Sequence, residues 1–265
     1  MNKNNLIINK IESIVKAVSG NVLLPYYLKV KAQNKADGSL ITQADIDVQN
    51  AIKLELSNHF PEYGFFAEEL SEAQLNSFFS ENHSGYWCLD PIDGTSNFAA
   101  TLPYFSISLA LIINSETVLG LIYDPVRDEC FTAIKGEGAW LNGQIIKRSD
   151  APDNLSECMA IVDFKRLPNE LAIKLVTEPP YRSQRSFGSV ALDWCWLAMG
   201  RCHIYLHGKQ MLWDYAAGLL IAEESGCLTC TMDRKPVFEE SLDAKKVIAS
   251  TGKSLQKQWL DFISS

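Results

Sequence analysis

Apolar residues recur at helical spacing early in the chain, at positions 7, 11, 14, 15 and 18, with Lys10, Glu12 and Lys16 between them. This pattern predicts an amphipathic first helix over 6–18. Gly20 and Pro25 then bracket a short apolar segment, and the polar cluster 34–39 predicts a turn. A second helix is expected from about Ala44, with Ile46, Val48, Ala51, Ile52, Leu54 and Leu56 along it, stopping at Phe60-Pro61. The apolar run 86–89 reads as a strand, and Pro91 biases Asp90 away from helical angles, so the strand is expected to end at Asp90. Between 105 and 140, the runs FSISLALII, TVLGLIY and ECFTAI are separated by turn residues, which predicts an antiparallel meander.

Near residue 150 the rhythm changes to alternating strands and helices. Strands are expected at CMAIVDF, YRSQRSFG, CHIYLHG, CLTCTM and KKVIAS, and helices over 169–176, 190–199, 215–225 and 255–262. The chain therefore divides into an α+β half, 1–150, and an α/β half, 151–265, packed as one compact unit with function at the junction. No repeat or linker separates independent modules.

Composition narrows the partners. The chain has 265 residues, with 24 Lys plus Arg against 32 Asp plus Glu, a formal charge of −8. An acidic chain lacks the counterion-displacing cations that a generic nucleic-acid binder needs, so no nucleic-acid partner is expected. Charges within the first helical run exclude a signal-peptide core. The longest apolar run, 105–113, is strand-length and contains Ser106 and Ser108, so no membrane span is expected. Seven scattered cysteines fit reduced thiols in a cytoplasmic protein, and the C-x-x-C at Cys227 and Cys230, lacking a second ligand pair, reads as packed thiols in a strand.

The densest chemistry lies in WCLDPIDGTSNF, 87–98. Pro91 and Gly94 force this segment to turn, so the carboxylates of Asp90 and Asp93 and the carbonyl of Ile92 can converge on one hard cation. Gly94-Thr95-Ser96-Asn97 reads as a turn into a helix start, which offers backbone N–H groups to an anion. The bland alternative is an Asx-type turn with Thr95 or Ser96 as N-cap. Glu68-Glu69 follow the apolar pair Phe65-Phe66, and Asp214 stands between Trp213 and an Ala-rich helix, where an unpaired carboxylate would be costly to bury.

In this order, AEEL at 67–70, DPIDGTSNF at 90–98 and WDYAAG at 213–218 closely resemble the inositol monophosphatase family of lithium-sensitive, magnesium-dependent phosphatases. GEGAWLNG at 136–143 and FGSVALDW at 187–194 extend the likeness over most of the chain. The resemblance implies a layered αβαβα sandwich of the inositol monophosphatase and fructose-1,6-bisphosphatase type, commonly a homodimer. Trp140, Trp194 and Trp196 suit either a dimer interface or the core. Carried across position by position, Glu68, Asp90, the Ile92 carbonyl, Asp93 and Asp214 match metal ligands. Thr95, oriented by Asp45, matches the hydroxyl beside the nucleophilic water, with Glu68 polarising that water. The amides of Gly94 and Thr95 match phosphate donors, and Asp93, Val190 and His207 fall on the substrate wall.

These implications cohere physically. Glu68, Asp90, Asp93 and Asp214 carry four negative charges and would repel a phosphate ester. Two Mg2+ ions, or Mn2+ in their place, would cancel that charge and a third would make the site net positive, and an oxygen-only ligand set favours such hard cations. Two departures bear on specificity and geometry. Ala67 stands where the family usually has Gly. His207 stands where inositol-specific members carry a glutamate, with Val190 in place of a smaller residue. Inositol 1-phosphate is the leading expected substrate. 3′-Phosphoadenosine 5′-phosphate, fructose 1,6-bisphosphate and histidinol phosphate are alternatives, and Lys209 is either solvated or meets a second phosphate. A non-catalytic regulatory member is the second class of reading. The haloacid dehalogenase motif D-x-D-G-T differs, because two residues rather than one separate Asp90 from Asp93.

Overall fold

The computed structural model describes residues 3–29, 33–34, 40–79, 83–148 and 151–265. Helix α1 (Lys3–Val18) buries Ile7, Ile11, Ile14, Val15 and Val18, the face set out by its periodicity. Gly20 does not end it. The chain loosens into a π turn, Ser19–Leu23, and continues into α2 (Leu24–Tyr26), whose first turn holds Pro25, where a missing N–H costs nothing. Strands β1 (Gln33–Asn34) and β2 (Leu40–Ile41) pair antiparallel; most of the turn expected at 34–39 lies outside the described residues. Helix α3 (Gln43–His59) follows, capped at Thr42.

A seven-stranded sheet runs β3 (Gly64–Ala67), β4 (Tyr86–Asp93), β5 (Ser106–Ile113), β6 (Glu116–Asp124), β7 (Glu129–Ile134), β8 (Gly138–Leu141) and β9 (Gln144–Ile145) in spatial order. Strand β3 is parallel to β4 across helix α4 (Glu72–Phe78), and the rest is the expected antiparallel meander. Strand β4 leads into the short helix α5 (Thr95–Ala99). The chain then builds β10 (Met159–Asp163), α6 (Asn169–Thr177), β11 (Ser183–Arg185), α7 (Val190–Ala198), β12 (Ile204–Gln210), α8 (Leu212–Glu224), β13 (Leu228–Thr231), β14 (Lys245–Ser250) and α9 (Lys253–Ser264). Its five-stranded sheet has the order β11-β10-β12-β14-β13, with β10, β11 and β12 parallel and β14 antiparallel to both neighbours.

Period-two alternation sorts the side chains into layers. On β4 and β5, Trp87, Leu89, Leu109 and Leu111 face α1 and α3, while Cys88, Ala110 and Ile112 face α7 and α8. The opposite side of α7 and α8 meets Tyr205, Val247 and Ala249 of the second sheet, and α6 and α9 cover that sheet's outer face with Leu175, Leu255 and Trp259. The result is the αβαβα sandwich implied by the family resemblance. Trp194 belongs to its core, with Nε1 donating to Gln210 Oε1 at 3.0 Å, and Trp196 packs edge-on against Tyr104 and Phe187. All seven cysteines are free thiols, Cys227 and Cys230 included. Among the described residues, no helix is long and apolar enough to cross a membrane.

One boundary differs from expectation in a way that matters. Strand β4 does not end at Asp90 but runs to Asp93, with a register shift: Asp90 pairs with Ser108 and Asp93 with Ser106. Two residues of β4 thus face one of β5, a bulge that accommodates Pro91, which has no N–H for a ladder.

Candidate metal and phosphate site

The bulge sets two carboxylates beside each other at the end of β4. Asp90 Oδ1 accepts the Ile92 N–H at 3.0 Å. Asp93 is gripped by the start of α7: Oδ1 accepts Val190 N–H at 3.1 Å, and Oδ2 accepts Ala191 N–H at 2.8 Å and the Ser189 hydroxyl. These are helix N-terminal donors that need a partner from outside the helix. Asp214 arrives from the first turn of α8, where Oδ2 accepts the Met211 N–H at 2.7 Å; the Ser108 hydroxyl, donating to Trp213 O at 3.3 Å, ties that turn to β5. One carboxylate oxygen from each of Asp90, Asp93 and Asp214 lies within 4.8 Å of the others.

The electrostatics follow from this crowding. Burial, followed by the charges of neighbouring acids, pushes the Asp90 and Asp214 carboxyls well above the usual carboxylate range. Burial also raises Asp93, but its three hydrogen bonds to α7 oppose the rise and hold it at about 6. The three acids therefore resist being ionised together. A hard divalent cation among them supplies the missing positive charge, and an all-oxygen donor set suits it. The residues present fit such an ion.

Glu68 follows β3, its N–H donating to Leu89 O at 3.1 Å, and its side chain lines the same cavity as the three acids. Ala67 ends β3 and is not among the residues with positive φ, so alanine costs nothing there. The N-cap of α5 is Gly94, not Thr95 or Ser96. Its φ of 93° and the Tyr104 and Gly188 carbonyls, 3.1 and 3.2 Å from where a Cβ would sit, leave room for glycine alone. Thr95 is released from capping, and its hydroxyl donates to Ile92 O at 3.0 Å and faces Asp45 Oδ1 at 3.3 Å. Asp45 is itself held by Thr42, whose N–H and hydroxyl reach Oδ2 at 2.7 and 2.6 Å.

A cavity of about 480 Å³ opens over these groups. Glu68, Asp90, Ile92, Asp93, Gly94, Thr95, Val190, His207, Lys209 and Asp214 all line it, while Asp45 sits behind Thr95. His207 is buried. Its Nδ1 accepts Lys209 N–H at 3.2 Å, leaving the proton on Nε2, which faces Asp163 Oδ2 at 3.2 Å. Burial lowers its pKa to about 4 against the pull of Asp163, so the ring is neutral near pH 7. A separate cavity of about 320 Å³ beside Phe78 and Tyr86 is lined by one carboxylate, Glu240, and gathers no comparable cluster.

The family model "Inositol monophosphatase family" matches residues 7–263. The chain belongs to this family. Inositol monophosphatase 1 of Solanum lycopersicum is 35% identical over 200 residues, 73% of this chain and 72% of the tomato protein. Nus factor SuhB of Haemophilus influenzae is 31% identical over 223 residues, 81% of each chain. A solved IMPase/NADP phosphatase complexed with NADP and Ca2+ superposes with a TM-score of 0.86 at 25% identity, covering 99% of this chain and 96% of the other.

Sequence reasoning missed part of this cavity. Ser189 stood within the quoted FGSVALDW, but nothing in that segment said that it binds Asp93. Asp193, buried and bonded by Tyr104 Oη at 3.1 Å, also lines the cavity. So do Asp163, Lys165 and Arg166, whose only signal was a basic pair just after a strand.

Proposed function

We propose that the protein is a magnesium-dependent phosphomonoester hydrolase that takes inositol 1-phosphate. The observation that carries the reading is the convergence of Asp90, Asp93 and Asp214 within 4.8 Å beside the bonded pair Thr95–Asp45. Glu68, Asp90, the Ile92 carbonyl, Asp93 and Asp214 would hold two or three Mg2+ ions, or Mn2+ in their place, which when bound neutralise phosphoryl charge and acidify water.

The chain's own groups do the rest. Thr95 directs its hydroxyl proton toward Ile92 O and Asp45 Oδ1, so its oxygen lone pairs face the cavity and accept a hydrogen bond from water. Asp45 keeps that orientation because Thr42 occupies its other oxygen. Glu68 polarises the same water. Gly94 and Thr95, at the start of α5, line the cavity, and their N–H groups would hold the phosphoryl oxygens. Val190 and the neutral His207 bound the alcohol side of the ester.

Phosphate release from inositol 1-phosphate, 3′-phosphoadenosine 5′-phosphate, fructose 1,6-bisphosphate and histidinol phosphate, with Mg2+ and with EDTA, tests the proposal. Magnesium-dependent release from inositol 1-phosphate is expected, and no release from any ester refutes it. Trapping of an aspartyl-phosphate on Asp90 would replace water as the nucleophile. The relatives named Nus factor SuhB support a second reading, a regulatory protein that keeps the fold. Retention of every acid at the site favours catalysis. The same proposal includes a homodimer, read by light scattering.

A further inference from the structure

We propose that the cavity holds a second anion subsite, built by Arg166 with Lys165 and Lys209, which lets the site that takes a monoester also accept esters bearing a second phosphoryl group; this rests on the phosphatase reading above. The subsite lies where β10 and β12, parallel neighbours with Asp163 paired to His207, reach their carboxyl ends. Open α/β sheets bind ligands in the crevice at that end. Asp163 closes β10, the turn Phe164–Arg166 follows it, and Lys209 lies in β12.

The wall is built and not merely basic. His207 spends both ring nitrogens on protein partners: Nδ1 accepts from Lys209 N–H and Nε2–H reaches Asp163 Oδ2. It offers nothing to a sugar hydroxyl; it fixes Asp163. Asp163 Oδ2 in turn takes Arg166 Nη1 at 2.9 Å. A guanidinium carries five donors, and this bond uses one, leaving a planar fork for phosphate oxygens. Backbone packing fixes the turn as well. A Cβ on Gly208 would sit 2.0 Å from the Arg166 carbonyl oxygen, so only glycine lets β12 run against the turn that presents Arg166.

Charge points the same way. Lys165, Arg166 and Lys209 line the cavity with Asp163, and neither lysine has an ion-pair partner among the described residues. This wall is net positive, opposite a pole of carboxylates that would hold cations. Arg166 and Asp214 line the same cavity of about 480 Å³, so one ligand meets both poles. A single phosphoryl group, seated at Gly94 and Thr95, would leave the basic wall facing an uncharged alcohol.

Steady-state kinetics of the Mg2+-loaded full-length protein tests this, with inositol 1-phosphate, fructose 1,6-bisphosphate and 3′-phosphoadenosine 5′-phosphate as probes. Arg166→Gln is expected to raise KM for the bisphosphates about tenfold or more with kcat kept, and KM for inositol 1-phosphate less than about threefold. Arg166→Lys should recover part of the loss. His207→Leu should reproduce the KM effect through Asp163, and His207→Gln, which keeps a donor where Nε2 stands, should recover part of it. Melting temperatures within a few degrees of the parent confirm that each variant folds. A parent protein that hydrolyses inositol 1-phosphate but neither bisphosphate overturns the subsite, as does an Arg166→Gln effect equal for all three esters or absent. Hydrolysis of none of the three overturns the phosphatase reading instead.

Discussion

Replacing Asp214 with Asn removes one charge from the acid cluster and keeps an oxygen to accept the Met211 N–H that caps α8. Two unit charges 4.8 Å apart repel by about 3 kcal/mol at an effective dielectric of about 20. Partial protonation of the raised carboxyls relieves some of this, so the metal-free variant should gain about 1–3 kcal/mol near pH 7.5, roughly 3–10 °C in melting temperature. The sign with pH is fixed by the direction of the shifts. Asp93, raised to about 6, and Asp214, raised as well, stabilise the fold when protonated, and that contribution is lost as pH rises through the folded values. The advantage of Asp214→Asn should therefore grow as pH rises from about 4 to about 8, as the raised carboxyls ionise. Differential scanning fluorimetry in EDTA across that range measures it. Titration with Mg2+ should reverse the order, stabilising the parent more than the variant. A variant that melts at or below the parent in EDTA at pH 7.5, or gains as much from Mg2+, would refute mutual repulsion as the property that makes this a cation site.

Other outcomes follow from the same geometry. Thr95→Ala should lower kcat about 100-fold or more, since the hydroxyl that orients water is lost, while the Mg2+-induced rise in melting temperature persists. Gly208→Ala drives a Cβ into the Arg166 carbonyl and should cost about 1–3 kcal/mol or more in thermal unfolding. Ser189→Ala removes one of the bonds that oppose the rise of Asp93, so the acid limb of the Mg2+-dependent rate should move to higher pH. Millimolar Li+ should depress turnover in Mg2+, as the family resemblance implies; rates indifferent to Li+ would point to a different metal arrangement.

The meander between 105 and 140 and the later strand-helix alternation were legible because period-two and period-3.6 patterns are local and each face meets one layer. Trp87 and Leu89 point to α1 and α3 while Cys88 points to α8 for that reason alone. The acids Asp90 and Asp93 were legible as a short motif. Their strand was not: a proline beside Asp90 read as an ending, whereas pairing with Ser108 and Ser106 carried β4 through it as a bulge. The turn into α5 was legible, but its cap was left open, since the hydroxyls of Thr95 and Ser96 are good caps in isolation, and the carbonyls of Tyr104 and Gly188 are what favour Gly94 in that role.

By itself the sequence determined which residues carry oxygen ligands, which faces are apolar, and that an acidic chain could meet a phosphate only through cations. The tertiary structure decided which of those residues meet. Asp214 joins Asp90 and Asp93 from more than a hundred positions away, Ser189 and the start of α7 hold Asp93 from the neighbouring layer, and His207, on the cavity wall, also meets Asp163, which in turn holds Arg166. These contacts depend on strand register and on how closely layers approach, quantities that arise only when both partners are folded and that leave no periodic trace in either segment alone.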